Sequence, residues 1–257
     1  MNTGSRPELA NTHTVPTPFL PRRLAIVPAF NEQESIIGVI EEIRRVRPDF
    51  DIAVVDDGSR DNTAAVAGAH GAIVLSLPFN LGIGGAVQTG FLYAFEADYD
   101  IAVQVDGDGQ HDPEEIERII SPLVAGEADV VVGSRYAGGG TFEHAAHRRL
   151  LIKTFAALVT LATGKKFTDT SSSFRAYNRR AIAICADDYP QGFLESVESL
   201  VSLSRYRLTI KEVSVVIRQR STGSTSLSLG RTIAYTIKVT IAIAMGVMRR
   251  GPTAKGE

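Results

Sequence analysis

The sequence predicts an α/β fold: a mostly parallel β-sheet with helices on both faces. Three observations carry this expectation. Short apolar runs recur between residue 22 and about residue 136, each followed by a stretch of helical period. The runs are nearly continuous in Val, Ile, Leu and Ala, as strands covered on both faces are, and do not alternate with polar residues. The acids, the glycines and Asn31 gather where these runs end, the edge of an open parallel sheet at which ligands bind.

Leu24-Ala25-Ile26-Val27 is the first strand, and 34–47 follows with helical period. Ile52-Ala53-Val54-Val55 is the second, with a helix from about 61 to 68. A strand over 72–77, a helix over 83–96, a strand over 101–105, a helix over 113–125 and a strand over 129–132 complete the alternation. The 113–125 helix has the clearest start, with Asp112 at the cap, Pro113 at the first helical position and Glu114 and Glu115 in the first turn. Residues 145–163 read as a helix with a basic beginning (His147, Arg148, Arg149, Lys153) and an apolar remainder. A Ser/Thr-rich loop, a helix over 194–204, an alternating strand over 208–218 and a terminal helix from about 231 follow. No repeat and no linker divides the main body. The expected organisation is a flexible tail over 1–21, one domain over 22–228, and a C-terminal amphipathic helix and tail over 229–257 that lies on a membrane interface or on a partner.

Composition narrows the function. Among 257 residues the formal charge is −2, so a nucleic-acid partner, which calls for a basic face, is not expected. With 44% apolar and 22% charged residues the bulk is globular. The single cysteine, Cys185, excludes a disulfide framework and a Cys-rich zinc site, and its apolar neighbours make it a buried, inert thiol. The first twenty residues lack the apolar core of a signal peptide. The most apolar late stretch, 232–248, is short, interrupted by Lys238 and closed by Arg249 and Arg250, and falls short of a spanning helix.

The strongest chemical signal is Asp106-Gly107-Asp108-Gly109-Gln110, in which two acids follow an apolar strand directly. Carboxylates so placed are costly unless a cation sits between them, and a hard divalent ion carrying phosphate oxygens answers that need. Four other strand ends carry weaker signals. In Pro28-Ala29-Phe30-Asn31-Glu32, Asn31 with Glu34 reads as a helix cap, while Phe30 and Glu32 suit a nucleobase or ribose. Asp56-Asp57-Gly58-Ser59 is turn punctuation in part, and its acids suit a base imino group or a ribose hydroxyl. Asn80-Leu81-Gly82-Ile83-Gly84-Gly85-Ala86 does not follow the first strand, so it reads as close helix–sheet packing and not as a dinucleotide fingerprint. Gly133-Ser134-Arg135 brings a cation to the same edge, for a phosphate or for a salt bridge to one of the acids. Asp169 sits in a Ser/Thr loop, and Arg218-Gln219-Arg220 leads into a hydroxyl-rich loop that is either a phosphate clamp or plain surface.

In this order the motifs resemble the family 2 glycosyltransferases of the Rossmann-like GT-A fold, and within them the dolichyl- or polyprenyl-phosphate sugar synthases, over about 22–228. The resemblance implies a nucleotide-sugar donor held by Pro28, Phe30, Glu32, Val55, Asp56, Asp57, Asp106, Gly107 and Asp108, with Arg135 and Arg220 on phosphates. It implies Mg2+ or Mn2+ on Asp106, Asp108 and Gln110. An acceptor phosphate would meet Arg135, Arg148 and Arg149, and Asp169 and Asp108 would be the catalytic acids. Ser226 stands where many members have a lysine.

The implied reaction inverts the anomeric carbon as the sugar moves to a polyprenyl phosphate at the membrane. The basic helix start and apolar terminal segment suit a cytoplasmic protein lying on the inner membrane face, with a small membrane protein or a second copy as further partners. Two rival readings remain: a family 2 enzyme acting on a growing polysaccharide or soluble acceptor, and a nucleotide-sugar binding protein without catalysis.

Overall fold

The computed structural model describes residues 21–139, 146–191 and 195–218, with side chains over 21–138, 154–191 and 195–218. The strands are β1 (Arg23–Ala29), β2 (Phe50–Asp56), β3 (Ile73–Ser76), β4 (Ile101–Gln104), β5 (Val130–Ser134), β6 (Arg175–Asn178) and β7 (Ile210–Ser214). The helices are α1 (Ile36–Val46), α2 (Thr63–Ala69), α3 (Ile83–Glu96), α4 (Ile116–Val124), α5 (Ala146–Thr163), α6 (Arg179–Asp187) and α7 (Glu195–Arg205). The strands form one sheet in the order β3-β2-β1-β4-β6-β5-β7. Every pairing is parallel except those of β6, which runs antiparallel to β4 and to β5. The expected mostly parallel sheet with helices on both faces is the observed architecture.

Each face has its own apolar cluster. Ile36, Ile40 and Ile43 of α1 and Ile116, Ile119 and Ile120 of α4 close over Val27, Val54 and Val103. On the other face Val87 and Phe91 of α3 and Ala181 and Ile182 of α6 pack on Leu24, Ile26 and Val55. A third cluster joins Phe155 and Val159 of α5 to Val197, Leu200 and Val201 of α7, over Val132. Each Val, Leu, Ile or Phe side chain among these contributes about 1.5–3 kcal/mol on leaving water. Cys185 lies in the second cluster, fully buried, and burial pushes its thiol far up; it is the inert thiol expected.

α3 sits very close to the sheet. A Cβ on Gly90 would fall 2.3 Å from Ile26 Cγ2. Gly90→Ala is therefore expected to lower stability by about 1–3 kcal/mol in urea unfolding. An unchanged midpoint would mean that α3 lifts from β1 without penalty.

Several expectations are corrected. The Ser/Thr loop ends in a strand, β6, which has only four residues and is polar at both ends, so it lacks any strand pattern of its own. It is followed directly by α6, whose start is capped by Asn178 Oδ1 accepting the Ala181 N–H at 2.9 Å. The 113–125 helix opens as a 3-10 turn over Pro113–Glu115 before α4. The 208–218 strand shortens to β7, with Ile217 left in an isolated antiparallel bridge to His111. Asn31 does not cap a helix. It takes a left-handed φ of 56°, accepts the Arg60 N–H at 2.8 Å and donates its own N–H to Ser59 Oγ at 2.9 Å, tying the β1 end to the β2 end. The terminal helix from about 231 lies outside the described residues.

Candidate active site

The sheet order places the chemistry along one edge. β2, β1, β4 and β6 are consecutive neighbours. Because β6 runs backwards, its beginning lies at the edge where β2, β1 and β4 end. In spatial order this edge carries Asp57, then Pro28, Ala29, Phe30 and Glu32, then Asp106 to Asp108, then Ser173. These residues line one cavity of about 390 Å³, together with Asn80, Gly82, Ile83 and Ala86 from the start of α3 and Glu195 and Ser196 from the start of α7. The positive end of the α3 backbone dipole thus contributes to a wall suited to anionic groups.

Of the expected donor-binding residues, Pro28, Phe30, Glu32, Asp57, Asp106, Gly107 and Asp108 line this cavity. Val55 and Asp56 are buried beneath it: Val55 belongs to the apolar cluster under α3, and Asp56 Oδ1 accepts the Ser59 N–H at 3.2 Å. Asp57 is 4% exposed, and its two oxygens accept the N–H groups of Leu81 (2.7 Å) and Gly82 (2.9 Å). It therefore moulds the glycine loop as well as facing the cavity. Gly58 beside it has φ +70°, and a Cβ there would come within 2.9 Å of the Phe79–Asn80 backbone; only glycine makes this turn without strain.

The acidic turn after β4 is held from several sides. Ser173 donates its hydroxyl to Asp106 Oδ2 at 2.7 Å. The Asp106 N–H donates to Nδ1 of His111 at 3.0 Å, and the His111 ring stacks on Phe174 with centroids 4.7 Å apart. His111 is thus a buried support of the turn. Gln110 donates its backbone N–H to Asp108 Oδ1 at 3.1 Å and its side-chain amide to Asp108 Oδ2. Ser35 Oγ has the Glu32 carboxylate at 2.6 Å and the Gly107 carbonyl at 2.8 Å, which joins the β1 loop to the turn. Behind the turn, Arg218 bonds Glu42 at 2.7 Å and Asp112 at 2.9 Å.

Among the described residues no group of three or more His, Cys, Asp or Glu side chains is arranged to hold a metal ion. The turn offers Asp106 and Asp108, a pair of oxygen donors that suits a hard divalent cation completing its shell with phosphate oxygens.

Arg135 and Asp169 meet each other and do not line the cavity. The pair is a fork, with Nε to Oδ2 at 2.6 Å and Nη2 to Oδ1 at 2.7 Å, and the Arg135 backbone N–H adds a third bond to Oδ2 at 3.1 Å. Burial alone would push the Asp169 carboxyl up, but the guanidinium outweighs it and holds the carboxyl below its ordinary value. The salt-bridge reading of Arg135 is thus the observed one. Asp169, fully buried, has both oxygens engaged and acts on Arg135 in this structure. Arg148 and Arg149 fall in the first turn of α5, where only the backbone is described, and Arg220 lies outside the described residues.

Sequence reasoning missed Glu195. It falls at the start of the expected 194–204 helix, and it is 3% exposed in the cavity wall. The Tyr189 hydroxyl donates to its Oε2 at 2.9 Å and the Ser196 hydroxyl to its Oε1 at 3.0 Å. Burial pushes its carboxyl up, and nearby Arg175 offsets this only in part.

Known proteins resemble this chain in sequence and in fold. A family model described as Glycosyl transferase family 2 matches residues 24–184. A polyprenol monophosphomannose synthase of Mycolicibacterium smegmatis is 30% identical over 217 residues, covering 80% of this chain and 81% of that protein. An undecaprenyl-phosphate mannosyltransferase of Micrococcus luteus is 32% identical over 218 residues, covering 81% and 88%. Among solved structures, the glucosyl-3-phosphoglycerate synthase of Mycobacterium tuberculosis in complex with Mn2+, UDP and glucosyl-3-phosphoglycerate superposes with a TM-score of 0.68 at 22% identity, over 91% of this chain and 82% of that one. At that identity the likeness concerns the fold.

Proposed function

The chain belongs to glycosyl transferase family 2, and on that basis we propose that it moves a sugar from a nucleotide-sugar donor to a polyprenyl phosphate at the inner membrane face, with inversion at the anomeric carbon. The single observation that carries this reading is the cavity wall: an aromatic face and acids at the β1 and β2 ends stand beside the Asp106-Gly107-Asp108 turn. Phe30, 44% exposed, offers a flat surface to a base; Glu32 and Asp57 offer acceptors to base and ribose. The start of α3 and the acidic turn then face the diphosphate. The synthase of Mycolicibacterium smegmatis and the mannosyltransferase of Micrococcus luteus, both at least 30% identical, carry polyprenol and undecaprenyl phosphate in their names.

Mg2+ or Mn2+ bound at Asp106 and Asp108, with Gln110 beside them, would neutralise charge on the departing nucleoside diphosphate. Ser173 and Gln110 hold the two carboxylates, and His111 holds the backbone that carries Asp106, before substrate arrives, which is the preorganisation such stabilisation requires. The acceptor phosphate oxygen forms the new bond to the anomeric carbon as the bond to the donor diphosphate breaks. A phosphate acceptor is already anionic, so no strong general base is needed, and a forked Asp169 suits a reaction without one. In this reading Asp169 acts by fixing Arg135, and Arg135, Arg148 and Arg149 would bind the acceptor phosphate.

No helix among the described residues is long and apolar enough to cross a membrane. Phe79, 63% exposed, and Leu81, 44% exposed, flank Asn80 at the cavity wall and suit contact with a lipid surface.

A screen of radiolabelled nucleotide sugars with polyprenyl phosphate, with and without EDTA, tests the proposal. Label is expected in the lipid fraction with one donor, abolished by EDTA and restored by Mg2+ or Mn2+. Transfer that survives EDTA would remove the metal role from Asp106 and Asp108. Transfer to a soluble acceptor, with none to lipid, would replace the acceptor.

A further inference from the structure

The geometry points to Glu195 as the residue that reads a hydroxyl of the transferred sugar. This inference rests on the nucleotide-sugar reading above and follows from the order of groups along the sheet edge. Base and ribose face the β2 and β1 ends, and the diphosphate faces the β4 end. The sugar, attached beyond the diphosphate, then reaches the next wall along. That wall is the start of β6 and of α7, which is to say Ser173, Glu195 and Ser196.

The wall is built to be rigid. Arg175 is fully buried, and its guanidinium donates to the Ser172 carbonyl at 2.8 Å, the Ser196 carbonyl at 2.5 Å and the Ser199 hydroxyl at 2.7 Å. It therefore clamps the segment ending in Ser173 to the first turn of α7. Ser173 in turn bonds Asp106 at 2.7 Å. The acidic turn and the Glu195 wall are thus tied to each other through the start of β6.

Glu195 has unused capacity. Among the described residues each oxygen receives one hydrogen bond, from Tyr189 or from Ser196, while a carboxylate oxygen accepts two. Tyr189 and Ser196 fix the carboxyl's orientation, and its place in the cavity wall leaves the remaining lone pairs for a ligand. A buried carboxyl loses its water when the cavity fills, so a sugar lacking the matching hydroxyl leaves it unpaired. Such sites discriminate far more strongly than apolar ones. The wall is otherwise hydroxyl-rich, as a sugar pocket requires.

Titration calorimetry on the purified full chain with UDP, GDP, UDP-glucose and GDP-mannose, in Mg2+, separates this inference from its parent. In Glu195→Gln the free diphosphate is expected to bind within about twofold of wild type, and the sugar conjugate about tenfold more weakly. Deoxy analogues of the bound conjugate complete the test. Removing one particular hydroxyl should weaken wild-type binding about tenfold but leave Glu195→Gln nearly indifferent, as a coupled pair does. Equal losses in both proteins at every position would overturn the assignment. Should Glu195→Gln lose the diphosphate as well, Ser196→Ala decides, because it frees the carboxyl's orientation without removing it. It is expected to reduce the preference for that same hydroxyl, and an intact preference would count against Glu195. Failure of wild type to bind any of the four nucleotides would bring down the nucleotide-sugar reading itself.

Discussion

Asp106→Asn and Asp108→Asn are each expected to lower turnover by about 10²–10³-fold, the scale of removing one preorganised electrostatic contact to a leaving group. The fold should hardly notice. At the first position an amide keeps the shape of the carboxylate that Ser173 bonds at 2.7 Å, and its oxygen still accepts that hydroxyl. The His111 bond is to the backbone N–H, which the substitution leaves in place. The loss in stability is therefore held to about 1 kcal/mol, the worth of one ordinary hydrogen bond. Transfer rates at saturating metal, paired with thermal unfolding, check both halves. Variants that fold normally and turn over at the wild-type rate would remove the catalytic role given to Asp106 and Asp108.

Asp169→Asn is expected to act oppositely, through stability first. Removing the charge leaves Arg135, whose side chain is only 14% exposed, without its forked partner. Breaking such a pair from one side costs about 3–5 kcal/mol, readable in urea unfolding at pH 7. The pH dependence follows from the depressed carboxyl. A group ionised more readily in the folded than in the unfolded state stabilises fully above its unfolded value, about 3.9. That contribution drains away as pH falls from there through the lower folded value. The gap between wild type and Asp169→Asn should be full at pH 7 and close in acid. A gap independent of pH would mean that the loss is one of packing. Replacing both partners by apolar residues, Arg135→Met with Asp169→Leu, should recover part of the stability but none of the transfer activity.

How much of this could be read from the chain depends on how local each signal is. The strands on both sides of the acidic turn are apolar and the helices between them periodic, so the parallel part of the sheet was legible. β6 was not. Arg175 and Asn178 are polar, and Arg175 is buried only because Ser172, Ser196 and Ser199 receive its guanidinium. The acidic turn announced itself because two carboxylates follow an apolar run. The Arg135–Asp169 fork joins residues 34 apart, so each could be seen as charged but not as the other's partner. Glu195 carried no local mark, since its burial depends on where α7 docks. Asn31 was misread because a capping pattern is short enough to arise where the backbone does something else.

β6 also sets the order in which the molecule can become itself. It is the sixth strand in the chain but lies between the fourth and the fifth in space. β4 and β5 therefore cannot be joined until a later segment has inserted between them. During synthesis β1 to β4 can pair as soon as they emerge, while β4 keeps an open edge and β5 has no neighbour. Contacts so distant in sequence close slowly. Ser173 and Arg175 arrive with that last insertion, so the turn bearing Asp106 receives its side support only when the sheet is closed. A half-made chain thus carries the acids without the frame that aims them, and competence comes with completion of the fold.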